Sequence, residues 1–307
     1  MNNLGEVFLV AMLSLCVCSV LSALLYPLWS RSLSVISPEL SSQLVFLYGI
    51  LPAFGMVFVV ALMLNPDAIG ILFYDHCHGT LCGPHVPDVE ETHSGLALVT
   101  FSVILLTFLV GFIWLQFRRN RLKEAMLSQL ATPVDSRIWS RIAGSSPTAF
   151  TAGLLTPHIY VSDGMVETLS ETELSQVLAH EQSHVWHRDP LRRFVLKWMT
   201  LLWPRPFRRK LLSQHGLLCE LRADQGALRL NGNRPQEFVR TLDKLIALRG
   251  LSAQCDYVQE RRDRLVNPQS RNMFYAVLTL SGLLTIACAQ IAAITYISHP
   301  LLDLISH

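Results

Sequence analysis

The sequence predicts an α-helical membrane protein: four membrane-crossing helices, with one α+β soluble domain inserted between the third and the fourth. Three observations carry this. Of 307 residues, 51% are apolar and 16% charged, with a mean hydropathy of +0.36, whereas a soluble domain carries about 25% charged residues. Four segments have no Asp, Glu, Lys or Arg over the length of about 20 residues that a helix needs to cross a bilayer. Nearly all the basic residues fall between the third and fourth of these segments.

The apolar segments run at about 7–26, 44–64, 96–117 and 273–297. A charged side chain at the centre of such a helix costs about 2.5–3.5 kcal/mol, so four charge-free runs exclude a set of ordinary core helices. The flank before the first, Met1 to Glu6, has no Lys or Arg. It lacks the basic region of a cleaved signal peptide, and the helix is expected to be retained. Gln290, inside the fourth run, needs a partner within the bundle.

Basic residues set the orientation. Residues 65–95 hold no Lys or Arg but five acids, Asp67, Asp75, Asp88, Glu90 and Glu91. Directly after the third run comes Arg118-Arg119-Asn120-Arg121-Leu122-Lys123, and Arg261-Arg262-Asp263-Arg264 precedes the fourth. The positive-inside rule then places residues 118–272 in the cytoplasm, with the 65–95 loop and both termini outside a cytoplasmic (inner) membrane. The expected organisation is residues 1–117 as three membrane helices, 118–272 as the soluble domain, and 273–307 as the fourth helix and a short tail. The soluble stretch holds 24 of the 25 Lys and Arg against 15 acids, a net charge of +9. Such a surface suits the anionic inner leaflet of the lipid bilayer. No nucleic-acid-binding motif accompanies the charge, so no direct nucleic-acid partner is expected.

Within 118–272, residues 138–144, 149–155 and 157–162 read as short extended segments, with Gly153 and Pro157 at turns. Ser170-Glu171-Thr172-Glu173 fits a capping box, and apolar residues then recur at helical spacing until Pro190. A second helical stretch runs over 211–230 and ends at Asn231-Gly232-Asn233.

The first of these helices carries His180-Glu181-Gln182-Ser183-His184. Histidines four apart lie on one helix face, so both imidazoles reach one metal ion. Glu181 stands beside them, where it can act as general base toward water. This is the H-E-x-x-H signature of zinc peptidases. The third-ligand candidate is Glu220, an inward carboxylate on the second helix. Asp224, one turn on, can hold a ligand histidine by accepting its other ring N–H. Asp189 can do the same or cap the first helix. His187 is a weaker ligand candidate, His158 and His215 read as ordinary polar residues, and Cys219 as a packing residue.

In the acidic loop, Asp75-His76-Cys77-His78-Gly79-Thr80-Leu81-Cys82-Gly83-Pro84-His85 gathers two thiols and three imidazoles. The set His76, Cys77, His78, Cys82 and His85 suits a second metal, copper or zinc, and a sensing role. The other reading is a Cys77–Cys82 disulfide stiffening an external loop.

These residues carry a family resemblance. Ser146-Pro147, Gly153-Leu154, Pro157 to Ser162, Val177 to His184 and Arg188-Asp189-Pro190 look like the BlaR/MecR family of membrane zinc metallopeptidases, and Glu220 with Ala223-Asp224 resembles that family's second motif. The helix order is similar too, so the resemblance covers nearly the whole chain. It implies a cytoplasmic gluzincin-like domain with His180, His184 and Glu220 on zinc and Glu181 as general base. It also implies a strand near 158–162 as the edge along which a substrate peptide adds. The activity implied is a zinc endopeptidase that transduces an external stimulus by cleaving a cytoplasmic transcriptional repressor or itself.

Two other readings stand beside it: an HtpX-like quality-control protease of membrane proteins, and a non-catalytic metal receptor. The best-known relatives carry a penicillin-binding sensor domain after the fourth helix. This chain ends at His307, and none of Lys123, Lys197, Lys210 or Lys244 has a Ser three residues before it. Acylation by β-lactams is therefore not expected.

Overall fold

The computed structural model describes residues 4–63, 76–78, 81–83, 93–134, 138–249, 255–267 and 273–306. Among the described residues, four helices are long and apolar enough to cross a membrane, with spans at Val7–Val35, Pro38–Leu62, Leu96–Leu130 and Met273–Ile294. They belong to α1 (Leu4–Trp29, continued by a 3-10 turn Ser30–Val35), α2 (Pro38–Met63), α3 (His93–Leu130) and α10 (Met273–Ser306). Gln290 of α10 is buried and donates from Nε2 to Ser22 Oγ on α1, the bundle partner its polarity demanded.

α3 does not stop where its apolar run stops. Arg118 and the charges after it end the charge-free run, but no Gly or Pro follows until Pro133, so the helix continues to Leu130. Its 38 residues measure about 57 Å, well beyond the roughly 30 Å of a hydrocarbon core. The extension brings Glu124 against the peptide that follows β5, where it accepts from Thr156 Oγ1 at 3.1 Å.

A four-stranded sheet follows: β3 (Thr132–Pro133), β4 (Trp139–Ile142), β5 (Ala149–Ala152) and β6 (His158–Ser162). Their order is β3-β4-β6-β5, with β4 parallel and β5 antiparallel to β6. This corrects one expectation. The strand over 158–162 lies inside the sheet, paired on both sides, and the edge belongs to β5. Parallel pairing of β4 with β6 needs a crossover, and β5 is part of that crossover, placed on the outer side. Gly153 ends β5 at φ +111, a conformation L side chains avoid, with Thr156 O only 2.5 Å from where a Cβ would stand.

Helix α4 (Asp163–Thr168) leads to α5 (Glu171–Trp186), which opens with the capping box: Ser170 Oγ accepts from Glu173 N, and Glu173 accepts from Ser170 N at 2.8 Å. α5 packs Val177 on Ile159, Val161 and Met165 of β6 and α4. Gly164 in α4 is fitted against the preceding loop, since a Cβ there would lie 2.0 Å from Ser145 O. Gly164→Ala is expected to destabilise the domain by about 1–3 kcal/mol through overpacking, read as a lowered thermal midpoint in detergent.

α6 (Asp189–Met199) begins after Arg188, whose φ of 51 places it in the left-handed region and turns the chain sharply. The long α7 (Arg205–Leu230) runs back beside α5, and α8 (Pro235–Arg249) and α9 (Cys255–Val266) close the far side. α6, α7 and the turn between them also share a core with the membrane-type helices: Tyr26, Trp29, Val45 and Tyr48 pack with Leu196, Trp203 and Leu211.

Candidate metal centre

Local helix geometry brings His180 and His184 to one face of α5, with Nε2 atoms 3.2 Å apart. Glu220 arrives from α7. Its Oε2 lies 3.4 Å from His180 Nε2 and its Oε1 3.7 Å from His184 Nε2. All three ligand atoms fall within 4.8 Å of one another. Ligands at about 2.0–2.1 Å around a tetrahedral zinc are separated by about 3.3 Å. Two imidazole nitrogens and a carboxylate whose two oxygens approach them at these separations, with one ligand atom from each residue within 4.8 Å of the others, suit a zinc ion in donor chemistry and in size.

The other ring nitrogens are held by carboxylates. His180 Nδ1 is 2.9 Å from Asp224 Oδ1, and His184 Nδ1 is 2.6 Å from Asp189 Oδ2. The His184–Asp189 hydrogen bond favours the tautomer that carries its proton on Nδ1 and turns Nε2 toward the metal position, whereas Asp224 faces His180 Nδ1 as a close charge without hydrogen-bond geometry. The turn at Arg188 is what brings Asp189 back beneath His184.

Two arginines complete the frame. Arg261 of α9 donates from Nε and Nη2 to both Asp224 oxygens, at 2.8 and 2.7 Å, and its Nη1 lies 3.2 Å from Glu220 Oε2. Arg222 of α7 holds both Asp189 oxygens at 2.6 Å. Burial alone would raise these carboxyls; the facing cations outweigh it. Asp224 is held below the usual carboxylate range by Arg261 and His180, and Asp189 by His184 and Arg222. For Glu220, His180, His184 and Arg261 likewise outweigh burial and lower its pKa. At His180 burial works against the proton, yet Asp224 and Glu220 prevail and raise it.

The three candidate ligands and Glu181 line an open cleft of about 660 Å³ bordered by β5, α5, α6, α8, α9 and the far end of α3. Thr151 Oγ1 on the edge strand donates to Glu181 Oε2 at 2.7 Å, so this carboxylate is tied to the strand beside it. Zinc held by these three side chains would supply Lewis acidity to polarise a peptide carbonyl and to acidify water. Glu181 can then take a proton from water and return it to the departing amine. β5 is an edge strand of the sheet and borders this cleft.

The remaining candidates fall away from the ligand set. His187 caps α5, with Nδ1 2.8 Å from Ser183 O. His158 pairs with Ser140 Oγ at 2.9 Å. In the loop, β1 (His76–His78) and β2 (Leu81–Gly83) form an antiparallel hairpin with Cys77 opposite Cys82. His85 lies outside the described residues. Among the described residues, His180, His184 and Glu220 are the one group of three metal-binding side chains within reach of one ion. Thr151, Arg222 and Arg261 were not singled out by sequence. Arg261 counted there only as part of a basic run, because nothing local shows that α9 folds over Asp224.

His215 is buried on α7, within 3.7 Å of Cys219 Sγ. Burial first, then the cations Arg193, Arg222 and Arg192, push its pKa down to about 4 against partial opposition from Asp189. The unfolded chain takes up this proton near pH 6.5 while the folded chain refuses it until about pH 4. Stability is therefore intact above pH 6.5 and falls as pH drops toward 4, by up to about 3 kcal/mol. His215→Gln is expected to remove this share of the acid loss, measured as thermal midpoint against pH.

Fold and site together describe a protein with membrane-type helices and a candidate metal centre of two histidines and a glutamate in an open cleft. Residues 99–204 match the family model for peptidase family M48, a stretch that includes His180, Glu181, His184 and Asp189. The match supports a membrane zinc metallopeptidase family, and it ends before Glu220 and Asp224, whose roles rest on the geometry above. No curated protein and no solved structure matches the chain.

Proposed function

We propose that this chain is a membrane-integral zinc endopeptidase that transduces an external stimulus by cleaving a cytoplasmic repressor or itself. The observation that carries the enzymatic part is the convergence of His180, His184 and Glu220 with Glu181 beside them in an open cleft. The signalling part is supported by the resemblance of the motifs to the BlaR/MecR family and by the order of the four apolar helices around the soluble stretch. The concentration of Lys and Arg in 118–272 supports a cytoplasmic cleft, with the acidic 65–95 loop facing out.

The test compares cells carrying the intact protein with cells carrying Glu181→Gln, by quantifying new protein N-termini. One cytoplasmic substrate, or a cut within the chain itself, is the expected result. Accumulation of many damaged membrane proteins in the variant would instead favour the quality-control reading. Signalling that survives Glu181→Gln would leave a metal receptor without catalysis.

A further inference from the structure

Glu220 and Asp224 reach from α7 into the cleft, but Arg222, between them in sequence, points away toward α2. Its Nη1 donates to Ser42 Oγ at 2.9 Å, and the Ser42 hydroxyl in turn donates to Glu39 O at 2.9 Å. Arg222 Nη2 holds both oxygens of Asp189, whose Oδ2 meets His184 Nδ1. An unbroken chain of polar contacts thus runs from a membrane-type helix to a ligand of the metal centre. Ser42 is 0% exposed, Arg222 3%, Asp189 3% and His184 7%, so water offers these groups no substitute partners.

The same helix is locked to the domain by shape. A Cβ on Gly49 would lie 2.3 Å from Leu196 Cδ2, so α2 and α6 touch without a side chain between them. On the neighbouring helix, Tyr26 Oη donates to Gln214 Oε1 of α7 at 2.8 Å. The position of α2 against α6 and α7 is therefore set by close packing near Gly49 and by the charged chain near Ser42.

We propose that Arg222 is a positioning residue for His184 and that Ser42 is the membrane-helix end of the same device, so that a shift of α2 against α7 is felt at the metal centre. The inference rests on the zinc-peptidase reading above. A guanidinium keeps its charge under all conditions, so Arg222 follows its anionic partner and cannot neutralise itself when displaced. A carboxylate on Nδ1 sets both the ring orientation and the basicity of a metal-binding imidazole. Moving Arg222 therefore alters Asp189, and through it the direction in which His184 presents Nε2.

The test uses the full chain in lipid nanodiscs, loaded with cobalt(II) as a spectroscopic stand-in for zinc. It reads the visible absorption bands of the cobalt and, separately, zinc affinity by competition with a chelator. Ser42→Ala is compared with Ser41→Ala, an equally buried serine on α2 that donates instead to Leu33 O. Ser42→Ala is expected to change the cobalt bands and weaken zinc binding by about tenfold, while Ser41→Ala matches the parent protein. Arg222→Lys keeps the charge but loses the fork, and is expected to fall with Ser42→Ala; it keeps the test decisive should Ser42→Ala not accumulate.

Unchanged bands and affinity in these variants would overturn the proposal and leave the zinc site standing. Failure of the parent protein itself to bind cobalt or zinc would overturn the metal centre, and this inference with it.

Discussion

Glu181→Gln is expected to reduce peptide hydrolysis by about 10²–10⁴-fold while leaving one zinc per chain. General base catalysis contributes that range, and the substitution is nearly isosteric. The amide can keep the contact with Thr151 Oγ1, which is 2.7 Å from the carboxylate in the parent protein. None of the ligand contacts among His180, His184 and Glu220 passes through Glu181. The variant therefore separates catalysis from metal binding. The measurement is turnover of a peptide substrate beside zinc content of the same preparation. Lost turnover with zinc retained assigns the base. Turnover within a few-fold of the parent would remove Glu181 from that role.

Glu220→Gln is expected to cost more than 100-fold in zinc affinity. Loss of a residue that merely orients a ligand costs about 10–100-fold, and loss of a charged ligand should exceed that. Glu220 is also the ligand most in need of an independent test, because the similarity to peptidase family M48 stops at residue 204. Arg261 keeps Asp224 as a partner when Glu220 is neutralised, so the surrounding frame is expected to hold. Chelator competition on the folded protein gives the number. Zinc affinity within a few-fold of the parent would show that the third ligand lies elsewhere. His187 is poorly placed to replace it, since its Nδ1 is already taken by Ser183 O.

Much of this was legible in sequence because the relevant forces act over short distances along the chain. Hydrophobic length marked the four membrane-type segments, and helix periodicity put His180 and His184 on one face. The capping box at Ser170 and Glu173 is a contact between neighbours, and the structure shows both of its halves. Glu220 and Asp224 were readable as a spaced pair on a second helix, though their distance from His180 depends on how α5 and α7 pack.

Other features needed the folded chain. Charge density placed the end of the third apolar run at residue 117, but a helix ends only where its backbone is interrupted, and α3 reaches Leu130. Extended segments were recognisable one by one, yet the edge of a sheet depends on pairing order. A parallel pair between β4 and β6 made β5 the edge, and with it the strand beside Glu181. Arg222 and Arg261 carry no local mark distinguishing them from other basic residues of the domain.

The sequence by itself determined the membrane-type helices, the two histidines with their neighbouring glutamate, and the class of chemistry these residues can perform. Each is a property of composition or of one helical turn. Tertiary packing decided which strand borders the cleft, which carboxylates hold the imidazoles, and that a serine of α2 stands at the far end of a contact chain leading to His184. Those outcomes depend on long-range approach of α2, α5, α6, α7 and α9, where burial leaves each charge no partner but the one that the fold brings to it.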